Sequence, residues 1–450
     1  MAKIKDFEID IMEMIEGKKY KALREIISTM IPYDLASILE NMSEKNVLLL
    51  FRLLPKDLAS ETFVEMDSDH QKTLINSFSD LELKEVINEL YIDDMVYLVE
   101  EMPANVVKRI LKNSSENARK MINEILNYPQ DSAGSIMTTE FVDLRSDMTI
   151  AEAIKRIRHI GIKSETFDTC YVTDKVSHLI GHITLQTIIL SDDDSMVGDL
   201  MERNVISVNT FEDQEEVTFL FGNYDLTVIP VVDNDNRLVG IVTVDDAWDV
   251  LEKETTEDIE LMAAITPSDT PYLKKTTLDI WKSRMPWLLI LMISATFTGM
   301  IISSFEESLK SYVVLTAYIP MLMDTGGNSG SQSSVTVIRG LSLNELEFGD
   351  ILKVFWKESK VAVLSGVTLA VVNFAKLMYL DRVGPSVSLI VSTTLLLTVI
   401  VAKMVGSTLP MLGKKLGFDP AVMASPFITT IVDAISLLFY FWITSIVFAI

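Results

Sequence analysis

Asp433 lies in PFITTIVDAISLLFYFW (426–442), where every other residue is uncharged. A charge at bilayer depth costs roughly 3 kcal/mol or more, and an ionisable residue kept there marks an ion or proton pathway. A second polar anomaly is PMLMDTGGNSGSQSS (320–334), which interrupts another apolar run. Gly326, Gly327 and Gly330 permit close helix approach. Asn328 and Thr429 add side-chain oxygens. Pro320, Pro410 and Pro426 lack a backbone N–H, so each is expected to free the carbonyl four residues earlier, at Thr316, Gly406 and Val422. The apolar runs hold no Cys or His. The donor set is therefore hard oxygen, which suits Mg²⁺ or Mn²⁺ and disfavours Zn²⁺ or Cu⁺. Asp433, Asn328, Thr429, Gly326, Gly327 and Pro426 are the expected ion pathway, and Asp433 its metal ligand.

Five apolar runs must position these residues: 286–304, 312–338 (interrupted), 361–380, 387–412 and 421–450. Each is long enough to cross about 30 Å of hydrocarbon as a helix. With the N-terminus inside, the inner segments contain Lys274, Lys275, Lys282, Arg284, Arg339, Lys353, Lys357, Lys360, Lys414 and Lys415; the outer ones contain Lys310 and Arg382. That bias places the N-terminus in the cytoplasm and the C-terminus outside a multi-pass cell membrane. Lys376 and Lys403 lie near span ends and are expected to snorkel. The opening MAKIKDFEIDIM is too charged for a signal peptide.

The 450 residues are 48% hydrophobic, yet the formal net charge is −25. Residues 285–450 carry 10 acids and 10 bases, so residues 1–284 hold the entire excess. An acidic, soluble-looking part is joined to a neutral, apolar one. Acidity excludes nucleic acid as a partner and suits cations. The single cysteine, Cys170, excludes an internal disulfide framework.

Residues 1–130 read as short helices in a repeat. PYDLASILENM (32–42) is echoed by PKDLASETFVEM (55–66), with further breaks at Asp80, Pro103 and Pro129. The period suits a superhelical stack, and an ordinary helical bundle equally well. Residues 131–251 contain a duplication: YVTDKVSHLIGHITLQTII (171–189) aligns with PVVDNDNRLVGIVTVDDAW (230–248) at an offset of 59. Each copy predicts strand, turn, strand and helix, and the pair resembles tandem CBS domains. That resemblance implies an adenine-nucleotide site, with Thr243 and Asp246 as ribose contacts; Thr187 replaces the carboxylate in the first copy. Residues 252–284 read as a connecting helix and linker, and 285–450 as an all-α polytopic membrane domain of five helices.

The whole chain resembles the MgtE family of magnesium channels and transporters. PMLMDTGGNSGSQ, GFDPAVMASPFITTIVD (417–433) and the domain order carry the likeness. It implies a homodimer in the lipid bilayer, not an enzyme, with Asp433 in a shared pore and the connecting helix as a plug. It also implies that regulatory Mg²⁺ between acidic cytoplasmic surfaces holds the closed state, with ATP as a regulatory ligand. The carboxylate clusters suited to this are YIDDM with Asp93 and Asp94; TVDDAWD with Asp245 and Asp249; and EKETTEDIE with Glu254, Glu257 and Asp258, beside Asp419. Without cations such surfaces repel. Ser436 departs from the Gly expected three residues after Asp433. Two alternatives remain: a CBS-regulated transporter of another ion, and an intramembrane aspartyl protease built on DTGG (324–327) and Asp433.

Overall fold

Alternation of short apolar stretches with Ser, Asp and Pro punctuates the N-terminal third into helices of 8–15 residues. The computed structural model describes residues 2–268, 270–305, 312–423 and 425–448. They form two units, Met1–Val250 and Leu251–Ile450.

In the first unit, ten helices run from α1 (Ala2–Glu16) to α10 (Glu116–Ile125). Their starts are set by caps. Asp67 accepts from the His70 amide to begin α6 (Ser68–Ser77), and Ser79 with Glu82 makes a capping box for α7 (Asp80–Ile87). The helices α3 (Pro32–Glu40), α5 (Lys56–Val64), α7 and α9 (Ala104–Asn113) pack successively, each on the next. Of the two arrangements that the period allows, this is the stack. Leu35, Leu39, Leu50, Phe63, Leu74 and Ile110 fill its core.

The duplication gives two three-stranded sheets. In the first, β1 (Phe141–Arg145) pairs parallel with β2 (Thr166–Thr173), which pairs antiparallel with β3 (Leu179–Thr184). The second repeats this with β4 (Val208–Asn209), β5 (Val228–Val232) and β6 (Leu238–Thr243). Val172 opposes Gly181 in one sheet and Val231 opposes Gly240 in the other, which is the offset of 59 at both positions. The helices α11 (Ile150–Ile160), α12 (Leu185–Leu190), α13 (Val197–Leu200) and α14 (Gln214–Tyr224) accompany them. The two copies bond to each other: Tyr171 donates to the Val228 carbonyl, and the Leu179 and Leu238 amides donate to the Asn236 and Ser177 carbonyls.

The connecting helix was expected to begin at residue 252. It begins instead at Val244, as one helix α15 (Val244–Met262) continuous with the second sheet's last strand. No Gly or Pro interrupts 244–262, so nothing in the chain stops the helix there.

In the second unit, α16 (Thr277–Ser304) is capped by Thr276, whose side chain accepts from the Asp279 amide. It is followed by α17 (Ile319–Ser342), α18 (Ile351–Lys376), α19 (Pro385–Lys415) and α20 (Ser425–Phe448). Among the described residues, four stretches are long and apolar enough to cross a membrane: Thr277–Ser304, Phe348–Asp381, Pro385–Lys415 and Pro420–Phe448. The fifth expected span, α17, has 24 residues and is about 36 Å long at 1.5 Å per residue. Its polar stretch keeps it from qualifying by composition. It packs against α19 and α20, and polar groups at membrane depth are tolerated against protein.

Glycine makes that packing possible. A Cβ on Gly406 would lie 2.2 Å from the Gly330 carbonyl oxygen, and one on Gly330 would lie 2.6 Å from Ile428 and 3.1 Å from the Ala402 carbonyl. The backbones of α17 and α19 are in direct contact, which any side chain would prevent. Gly406→Ala is therefore expected to destabilise the membrane unit by about 1–3 kcal/mol through overpacking. Gly222→Ala, on α14 with open space around it, should be neutral or stabilising by up to about 1 kcal/mol. Thermal unfolding of the two variants in detergent checks the contrast; equal shifts would refute the close-contact reading.

Candidate functional site

The polar residues of α17 divide onto two sectors of the helix, because a helical turn is 3.6 residues. Gly326, Gly327 and Gly330 lie on one. A Cβ on Gly326 would meet Thr398 and Val432, and one on Gly327 would meet Thr429 at 3.0 Å. Asp324, Thr325, Asn328, Ser329 and Gln332 lie on the other, lining a cavity of about 500 Å³ with Ser365, Thr368 and Lys403. The expected pathway residues are therefore not all together: the two glycines and Thr429 belong to the α17–α20 contact, whereas Asn328 lines the cavity.

Asp433 lies on α20, and its Oδ1 is buried with no hydrogen-bond partner. Two further buried oxygens of this unit, Ser334 Oγ and Thr398 Oγ1, have none either. An unsatisfied buried oxygen costs about 1–3 kcal/mol, so three in one unit of helices call for a cation or water. The charge of Asp324 also acts on Asp433. Thr398 stands in the apolar run LLLTVIV (395–401) and Ser334 ends the polar run of α17, and nothing in the sequence distinguishes either from a packing residue.

The proline argument needs correction. Pro426 is the second residue of α20 and Pro320 the second of α17. At a helix start the N–H has no intrahelical acceptor, so these prolines free no helical carbonyl. Pro410 alone of the three lies inside a helix. The Thr430 hydroxyl donates to the Pro426 carbonyl at 3.1 Å and is spent there. Lys403 is also not where it was expected. It is 6% exposed, whereas Lys376 pairs with Asp381 at 3.2 Å near a span end.

Asp324 stands mid-helix in α17. The strand–turn setting that a DTG protease motif needs is absent from this part of the chain, which overturns the proteolytic alternative.

In the first unit, the start of α8 (Ile92–Glu101) brings Asp93 and Asp94 beside Glu140, whose carboxylate accepts from the Ile92 amide at 3.0 Å. Asp245, Asp246 and Glu165 complete one acidic cluster. Burial, then the Asp94 charge, pushes Asp93 up to about 7. Burial, then Asp246, takes Asp94 to about 7. Burial, then Asp93, takes Glu165 to about 8 and Asp246 to about 7. Thr243 donates to Asp246 at 2.7 Å, so the two expected nucleotide contacts are bonded to each other, with Asp246 in the acidic cluster. Asp249 acts on Asp246 and on Glu65, whose carboxyl burial and Asp249 together raise. Glu65, Glu140 and Glu165 were missed because each stands alone among unlike neighbours, and only the fold gathers them.

In the second unit, the C-terminal part of α15 packs by Leu261 and Met262 against Ile338, Ala421 and Val422. Ser342 donates to Asp258 at 3.0 Å. Burial pushes the Asp258 carboxyl up; Ser342 opposes this and the Asp419 charge adds to it. Asp419 itself accepts from the Ala421 amide. Asp258 is thus the α15 acid set beside Asp419, while Glu254 is half-buried and Glu257 exposed one turn earlier or less.

Known proteins share this architecture. The divalent cation transporter family MgtE matches residues 319–443, the MgtE intracellular N domain 30–131, and CBS domains 133–192 and 197–247. The magnesium transporter MgtE of Thermus thermophilus is 34% identical over 436 residues, 96% of each chain. The chain belongs to the MgtE family. The Bacillus subtilis MgtE is 33% identical, over 97% of this chain and 96% of that one. A solved cytosolic domain of the Mg²⁺ channel MgtE in complex with ATP superposes with TM-score 0.51 at 32% identity, covering 54% of this chain and 99% of that one. Members of the MgtE family are membrane transporters, not enzymes, and the N-terminal and CBS domains are their cytosolic part.

The raised carboxyls predict a pH dependence. Between the ordinary carboxylate range near 4 and about 7–8, the folded first unit holds more protons than the unfolded chain, so stability falls as pH rises. In EDTA, the first unit is expected to melt at a lower temperature at pH 8 than at pH 6. Mg²⁺ should restore most of the loss at pH 8, and Asp94→Asn should flatten the profile. A profile that Mg²⁺ and Asp94→Asn both leave unchanged would remove the cluster as its cause.

Proposed function

We propose that this protein is a Mg²⁺-selective channel or transporter for divalent cation uptake, with Asp433 as the ligand of the permeating ion. The observation that carries this reading is the buried, unpartnered Asp433 Oδ1, with two more orphaned hydroxyl oxygens in the same unit. Mg²⁺ sheds water reluctantly, so a site of one carboxylate and neutral oxygens suits a largely hydrated ion. One carboxylate is thin coordination for a divalent cation. A homodimer with its two-fold axis along the pore would bring two Asp433 side chains to one ion. Charge bias supports cytoplasmic N-terminal and CBS domains with the C-terminus outside the plasma membrane.

Gating follows from electrostatics. At low Mg²⁺ the cluster of Asp93, Asp94, Glu140, Glu165, Asp245 and Asp246 is either protonated or self-repelling. A bridging Mg²⁺ reverses the sign and favours the compact state. A second bridge from Asp258 to Asp419 would hold α15 against the inner ends of α17 and α20, closing the path. Glu254, Glu257 and Asp249 add charge that ions would screen. Several weak sites acting together steepen the response. ATP, bound by the related cytosolic domain, is the expected modulator at the CBS pair, near Thr243 and Asp246.

In proteoliposomes, Asp433→Asn should lower Mg²⁺ flux by more than the roughly 10–100-fold typical of indirect ligand changes, with the oligomer intact on gel filtration. Normal flux through folded Asp433→Asn would sink the assignment. In patch recordings across a Mg²⁺ series, Asp94→Ala/Asp246→Ala/Asp258→Ala should stay open at internal Mg²⁺ that closes the wild type. Equal closure would remove the acidic clusters from gating.

A further inference from the structure

Lys403 has no part in the reading above, yet it is among the most costly side chains in the membrane unit. It lies 12 residues from Lys415 and 18 from Pro385, roughly 18 and 27 Å from the ends of α19. Its side chain is 6% exposed, so the ammonium stays within the helix packing and does not reach out to solvent. Its ammonium carries three donors. Among the described residues one acceptor lies within hydrogen-bond distance, Ser333 Oγ at 3.3 Å. Ser333 in turn donates to Glu358 Oε2 on α18 at 2.7 Å. The charge also borders the 500 Å³ cavity, whose walls carry the Asp324 carboxylate and the side-chain oxygens of Asn328, Ser329, Gln332 and Thr368.

This surrounding is chemically a divalent-cation site. It offers a carboxylate, two amides and several hydroxyls, all hard oxygen. It is also wide enough to hold a hydrated ion, because a water takes about 30 Å³ of liquid volume. An isolated ammonium at membrane depth persists only against such groups. With the ammonium in place, a second cation entering the cavity meets like charge, and like charges at close range repel.

We propose that Lys403 is a built-in cation: its ammonium occupies a cation site formed by α17, α18 and α19, so that each protomer's own cavity is closed to divalent ions. This rests on the reading that permeation runs past Asp433, and it makes Lys403 a specificity-determining residue. Through Ser333 the same charge ties α17 to Glu358 on α18. The glycine sector of α17 then stays seated on α19 and α20 beside Asp433.

The test counts Mn²⁺ bound to the full-length protein in detergent by electron paramagnetic resonance. Asp433→Asn is the reference, so cytoplasmic sites cancel in the difference. Asp433→Asn/Lys403→Met is expected to bind one more Mn²⁺ per protomer than the reference. Adding Asp324→Asn should abolish the gain, and Lys403→Arg in place of Lys403→Met should show none. Should Lys403→Met not be isolated as monodisperse protein, Lys403→Gln, which keeps a donor for Ser333, serves in the same assay. No gain in folded Met or Gln protein overturns the proposal, as does a gain with Arg. Flux through Asp433→Asn alone decides the pathway reading separately, since the Mn²⁺ difference does not depend on it.

Discussion

A buried carboxylate without a cation or a proton is the state this chain is built to make unfavourable. Desolvation of one ionised group costs several kcal/mol even after relaxation, and every neighbour of like sign adds to it. The first unit places Asp93, Asp94, Glu165 and Asp246 where burial outweighs every hydrogen bond they accept. The second places Asp433 on a helix that meets the length and hydropathy of a span. The same constraint thus acts at two depths. At the acidic cluster of the first unit protons meet part of the deficit, and the proposed Mg²⁺ would compete with them. In the membrane the compensating charge proposed for Asp433 is the permeating ion, while the buried Lys403 ammonium reaches Ser333 and, through it, Glu358.

That division requires α17 to do two jobs. Its glycine sector must let α19 approach within backbone contact, and its polar sector must face a wet space. Helical periodicity separates the two: 326, 327 and 330 fall together, as do 324, 325, 328, 329 and 332. A larger residue on the first sector would push the helices apart; an apolar residue on the second would remove a polar group from the cavity wall. The unusual run of polar and small residues follows from serving both faces within three turns.

Sequence reasoning recovers what is periodic or duplicated and misses what only the fold assembles. The offset of 59 is legible because both copies keep strand, turn and strand, and the paired Val172–Gly181 and Val231–Gly240 reproduce it. The stack of short helices is legible from its Pro and Asp breaks. Asp433 is legible because charge in an apolar run is conspicuous. The role of proline was misjudged because helix starts at Ile319 and Ser425 cannot be located to within a turn from composition. Lys403 was misread for a related reason: a lysine is assumed to lie near an end when the ends are assigned from hydropathy, and α19 runs on to Lys415. Glu65, Glu140 and Glu165 carry no local signal at all, since their neighbours in space come from other elements.

Ser436 shows how a departure from the family pattern is absorbed. A hydroxyl three residues beyond Asp433 would, on helical spacing, share its face and offer another ligand. It does not act so. Its Oγ donates to the Val432 carbonyl at 2.6 Å, one turn back, and the residue is fully buried. A Cβ on Gly326 would lie 3.4 Å from that Oγ, so the serine rests on the glycine of the facing helix. Ser and Thr bonded in this way satisfy themselves and tend to bend a helix slightly. The extra atoms therefore change packing beside Asp433 and leave its ligand set as it was. Gly326 supplies the room for it.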